Sequence, residues 1–186
     1  AEEIAHALDE NPDVRAVFVG DPSYVGTVGD IDALARAAHS HDVPLIVDAA
    51  WAAHFGFHPD LPRHGLDLGA DAIVVSAHKT LPAWSQGALI LARTERIDPA
   101  RLDAGVEATA TTSPAGAILA SIDASRALLE RDGEELLGAA LAATRAARGR
   151  LAGVEGLIVL DGPQTDPLKL TLVLPGTGAD GIAVEA

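Results

Sequence analysis

Four short apolar runs, each closed by polar or turn-forming residues, constrain this chain more than any other feature. They are Val14 to Val19, Pro44 to Asp48, Ala72 to Ser76 and Gly87 to Ala92. Runs of this length bounded by turn signals read as buried strands. Asp30 stands where it can cap a helix running to about His41, with Ile31, Leu34, Ala35 and Ala38 on one face. Strands that are apolar on both faces and alternate with helices make a mostly parallel α/β sheet with flanking helices.

The character of the chain changes after Ser113. One helical pattern runs to about Leu129 and another from Glu134 to about Leu151, with Asp132-Gly133 between them. Residues 156–160 and 168–174 then look like strands of a second sheet. The expected division is a partial major domain over residues 1–130, then a linking helix and the start of a smaller α+β domain over 131–186. The chain contains no methionine, and its first residues read as a helix already under way. Its last residues read as a helix beginning, so a fragment of a longer protein is expected.

Composition closes several function classes. A formal charge of −14 opposes a nucleic-acid partner, because a phosphate backbone demands a basic face. No apolar run approaches the roughly 20 residues of a membrane helix. Cysteine is absent, which removes thiolate chemistry and cysteine metal sites and fits a cytoplasmic location. Nearly half the residues are apolar but few are aromatic, so small aliphatic side chains must fill the interior.

In an open α/β sheet, ligands collect beyond the carboxyl ends of the strands. Polar residues stand there: Ser23 and Tyr24 after the first run, Asp48 at the end of the second, and Ser76, His78 and Lys79 after the third. Lys79 is notable because only two of the thirteen basic residues are lysines. A primary amine can condense with an aldehyde, whereas a guanidinium cannot. Spacing and composition alone still leave a solvated or ion-paired lysine open.

Ser76-Ala77-His78-Lys79-Thr80 resembles the Ser-X-His-Lys motif around the cofactor lysine of Orn/Lys/Arg decarboxylases, which have the aspartate-aminotransferase fold. Val47 to Phe55, followed by Phe57-His58-Pro59, resembles that family's Asp-X-Ala-(His/Trp) segment. Thr111 to Pro114, leading into residues 119–126, resembles a third block. The three lie in the family's order and span roughly residues 20–130. Ala49 and Trp51 stand where many members have Glu and His, although an Asp-X-Ala-Trp form also occurs in the family.

The resemblance implies a pyridoxal 5'-phosphate (PLP) enzyme that decarboxylates lysine, arginine or ornithine. By that resemblance Lys79 would hold PLP covalently, and Asp48 would keep the pyridine nitrogen protonated. Ala50 would lie against a ring face, and Ser76 and His78 would anchor the cofactor. His78 is further implied to touch substrate or move a proton. Thr112 would reach the phosphate of a neighbouring subunit, which implies a homodimer or larger assembly. Trp51 either bounds the cofactor pocket or packs in the core. The family's phosphate loop and ring-stacking residue would precede residue 1, so the fragment alone is expected to bind PLP weakly. A different PLP reaction (transamination or side-chain elimination) and a non-catalytic truncated paralogue are the alternatives.

Three further signals are discounted. Gly176 to Gly181 matches a GxGxxG pattern, but Pro175 intervenes, the chain ends before any ribose-binding acid and the preceding strand belongs to a late segment, so a turn is the better account. His54, His58 and His64 cluster, but Pro59 and Pro62 prevent a regular helical array and no metal is expected. No Gly-X-Ser-X-Gly elbow supports a hydrolase.

Overall fold

A computed structural model describes residues 1–175 except Thr94 and Thr112. A helix, α1 (Glu2–Glu10), precedes strand β1 (Val17–Gly20). Helix α2 (Ile31–His39) leads into β2 (Leu45–Asp48), and a 3-10 turn (Gly65–Leu68) leads into β3 (Ala72–Val75). A single turn of helix, α3 (Ala77–Thr80), follows, then β4 (Leu89–Ala92). Strand order is β1-β2-β3-β4, with the first three parallel and β4 antiparallel to β3. The expected α/β class and mostly parallel sheet are therefore present.

Local chemistry explains the α2 layer. The Ala33 backbone N–H donates to Asp30 Oδ1 at 2.9 Å, satisfying one of the donors a helix start leaves free. Ile31, Ala35 and Ala38 are buried against the sheet. The alanines keep this layer thin: a Cβ built on Gly69 would lie 3.0 Å from that of Ala35, and Gly69 already needs a left-handed φ of 95°. Beneath them Leu45, Val47 and Ile73 are fully buried, each worth about 1.5–3 kcal/mol.

Among the described residues, the helices pack on one face of the sheet. Phe18, Ile46, Val74 and Ile90 share one face through the register of the sheet. On it Phe18 is 66% and Ile90 45% exposed. Side chains alternate across a strand, and the described helices cover the face of Val17, Leu45, Val47, Ile73 and Val75.

The second half departs further. The two helices expected around Asp132-Gly133 are one, α5 (Gly116–Leu151). Gly133 lowers helix stability by about 1 kcal/mol relative to alanine, which packing of the flanking residues outweighs. It is buried, facing Leu129 and the Phe57 carbonyl, where an added Cβ would make ordinary contacts at 3.5 Å. Helix α4 (Pro99–Thr109) has no counterpart in the sequence reading, although Asp98 caps it and Pro99 opens it. The late strands shrink to β5 (Ile158–Val159) and β6 (Leu172–Val173), paired antiparallel.

No helix among the described residues is long and apolar enough to cross a membrane.

Candidate cofactor site

The parallel strands end at Gly20, Asp48 and Val75, and the chain turns beyond each of them. A cavity of about 240 Å³ opens at this edge. Its walls come from the β1 turn (Pro22, Ser23, Gly26), the β2 turn (Trp51, His54) and α3 (Lys79, Thr80). Asp166, Leu168 and Lys169 close it from the far end of the chain.

Lys79 is carried by the single turn of α3, whose start is fixed by the Lys79 N–H donating to the Ser76 carbonyl at 3.0 Å. Its Nζ stands 4.8 Å from the Trp51 ring centroid. Tyr24 meets the same indole edge-on at 5.4 Å. Trp51 thus bounds the crevice and is not part of the buried core.

The other expected residues are less closely gathered. Asp48 ends the strand next to that of Lys79, in register with Val74. It is exposed and accepts from the Ala50 N–H at 3.2 Å. Neither Asp48 nor Ala50 lines the cavity that holds Lys79. Ser76 is half-buried at the start of α3. His78 turns away toward the β4 loop, its Nδ1–H donating to the Gly87 carbonyl at 2.8 Å, which leaves Nε2 as the free ring nitrogen. Thr112 and Gly176 to Gly181 lie outside the described residues.

Two polar atoms in the cavity wall are buried without a partner: the Thr80 hydroxyl and His54 Nδ1. An unpaired buried polar atom costs about 1–3 kcal/mol, so each is suited to a ligand that supplies the missing bond. Neither lysine ammonium forms an ion pair with a described residue. A free amine, an aromatic wall, two orphan polar atoms and a carboxylate on the adjacent strand end fit a flat, polar-rimmed aldehyde cofactor. Among the described residues no group of acidic, histidine or cysteine side chains is arranged to hold a metal.

Sequence reasoning missed Thr80, Asp166 and Lys169. The signal for Lys169 was present, because the rarity of lysine that singles out Lys79 applies equally to it. His58 lines a separate surface pocket.

The family model described as "Orn/Lys/Arg decarboxylase, major domain" matches residues 1–161. The chain belongs to the Orn/Lys/Arg decarboxylase family. Within it, the arginine decarboxylase of Bacillus subtilis (strain 168) is 31% identical over 99% of this chain and 39% of its own length. That of Halalkalibacterium halodurans is 30% identical over the same shares. The chain therefore spans about two-fifths of the length of these relatives. Among solved structures, a constitutive lysine decarboxylase of E. coli superposes with a TM-score of 0.63 at 24% identity, over 79% of this chain and 22% of that one. A ureidoglycine-glyoxylate aminotransferase of Bacillus subtilis gives 0.72 at 18% identity, over 98% and 50%. At these identities the superpositions establish the fold of this decarboxylase-family chain and nothing finer.

Proposed function

We propose that the full-length protein is a PLP-dependent decarboxylase of a basic amino acid, releasing CO₂ and leaving the corresponding amine. Arginine is the substrate favoured by its named relatives. The observation that carries this reading is the Lys79 amine, unpaired and set in a crevice at the carboxyl ends of parallel strands. PLP, when bound, supplies a ring that accepts the electron pair left as CO₂ departs.

The chain's own residues would divide the remaining work. Lys79 provides the amine that condenses with the cofactor aldehyde, and Asp48 holds a proton on the pyridine nitrogen. Ala50 leaves room for a ring face, and Trp51 walls the pocket. Ser76 anchors the cofactor. The free Nε2 of His78 is the atom able to anchor it or exchange a proton with substrate. Thr112 would serve the phosphate of a neighbouring subunit, making the working unit a homodimer or larger homo-oligomer in the cytoplasm. The division between residues 130 and 131 would then fall inside α5, a rigid strut carrying the smaller domain.

Borohydride reduction of the full-length protein with PLP tests the reading, with the adduct located by mass spectrometry. A stable adduct at Lys79, lost in Lys79→Ala, is expected; no adduct there overturns the proposal. The fold is shared with aminotransferases and with a methionine gamma lyase. Release of CO₂ against formation of a keto acid from arginine, lysine or ornithine separates these reactions.

A further inference from the structure

Residues 161–171, far from the Ser76–Lys79 block in sequence, are fastened across the mouth of the same crevice. The Val28 N–H donates to the Gln164 carbonyl and the Asp166 N–H to the Gly26 carbonyl, at 2.9 and 2.8 Å. The Thr171 hydroxyl donates to the Val25 carbonyl at 2.9 Å. From α5, Arg148 donates to the carbonyls of Asp166 and Lys169. Asp166 itself reaches inward to His54 Nε2 at 3.2 Å, both side chains being about 5% exposed or less. Six interactions on three sides fix this segment far more firmly than a passing loop requires.

What the fastening delivers is Lys169. Its Nζ stands 3.8 Å from the Trp51 ring centroid and 5.0 Å from that of Tyr24. Its stem runs over Gly26, where an added Cβ would come within 2.7 Å of Lys169 Cγ. Gly26, at a φ of 88°, is the bare backbone that lets the side chain lie down into the crevice. The only two lysines of the chain therefore stand on one indole, and no carboxylate among the described residues pairs with either. Two like charges confined in one small cavity repel, and a bound anion removes that repulsion.

We infer that Lys169 is the anion-receiving group of the Lys79 crevice, taking an oxygen of a phosphate or carboxylate on the small molecule bound there. The inference rests on the proposed function for the identity of that molecule. The anion then has two sources, the cofactor phosphate and the α-carboxylate of the amino acid, and one set of titrations distinguishes them.

Full-length Lys169→Gln and Lys169→Arg are compared with the unaltered protein, their fold checked by circular dichroism and unfolding midpoint. Binding of PLP and of pyridoxal, which lacks the phosphate, is followed by absorbance. Binding of arginine and of agmatine, which lacks the carboxylate, is followed by calorimetry on the cofactor-loaded protein. Loss of one charge-assisted hydrogen bond weakens binding by roughly tenfold or more. If the phosphate is the anion, Lys169→Gln loses that factor for PLP and keeps its affinity for pyridoxal. If the carboxylate is the anion, it loses that factor for arginine and keeps its affinity for agmatine. Lys169→Arg keeps the charge and is expected to restore the affected ligand to within about threefold.

Equal affinity of Lys169→Gln and unaltered protein for all four ligands overturns the inference. So does equal weakening of both members of a pair, or failure of the arginine variant to restore binding. The borohydride adduct at Lys79 keeps the two readings apart. If the unaltered protein forms no adduct, the enzyme reading fails by itself. Inorganic phosphate, followed by phosphorus NMR line width, then tests Lys169 directly: broadening that is lost in Lys169→Gln supports the inference, and its absence overturns it.

Discussion

The two ends of the parallel sheet treat their charges in opposite ways. At the amino ends of β2 and β3, Asp71 is buried and fully engaged. One carboxylate oxygen meets His39 Nε2 at 2.7 Å and accepts the Leu45 N–H at 2.8 Å, and the other faces Arg96 Nη1 at 3.5 Å. At the carboxyl ends, Asp48 is exposed with one local hydrogen bond, and Lys79 and Lys169 face only aromatic rings. The sheet is the same; the satisfaction of its polar groups is not. A saturated buried charge holds a fold together, whereas charges and polar atoms left open at a crevice await a ligand.

The largest effect that tests this contrast is on stability. Asp71→Ala removes the acceptor on which His39, Arg96 and the Leu45 N–H depend, and breaking such a buried pair costs about 3–5 kcal/mol. Denaturant unfolding of the full-length protein measures it; a loss below about 1 kcal/mol would erase the distinction between the two ends. Asp48→Asn is the converse. Unfolding free energy should change by no more than about 0.5 kcal/mol, because the side chain is exposed. Under the proposed function, the absorbance of bound PLP and its retention on dialysis should nevertheless fall, because Asp48 is the carboxylate that would hold the ring proton. A variant that unfolds early but binds PLP normally would reverse the assignment.

The smallest effect concerns His64, which sits in the wall of an apolar cavity of about 560 Å³ beside α5. Burial lowers its pKa below the ordinary 6.5, nearby Asp67 opposes that shift, and Arg93 adds to it. The unfolded chain therefore binds a proton below pH 6.5 that the folded chain refuses, so stability is lost as pH falls through and below that value. His64→Gln should lose less stability than the unaltered protein between pH 7 and 5. Equal pH slopes would show that His64 is as well solvated in the fold as out of it.

The legibility of the molecule follows the range of the interactions involved. Strand positions, the Asp30 cap and the Ser76–Lys79 block are written in contiguous residues, so period, turn signals and motif spacing reach them. The unbroken α5 was misread at Gly133 because a local propensity of about 1 kcal/mol is overridden by packing against Phe57, a residue far away in sequence.

By itself, the sequence determined the α/β class, the three parallel strands, the candidate amine at position 79 and membership in a decarboxylase family. Only the tertiary structure decided that Trp51 walls the crevice, that His78 turns away from it, and that Lys169 and Asp166 enter it from a distant segment. The physical reason is that a side chain's role depends on what faces it, and the partners of these residues lie up to 145 positions away along the chain, as between Tyr24 and Lys169. Chain spacing cannot encode such a meeting; the docking of residues 161–171 on the β1 turn creates it.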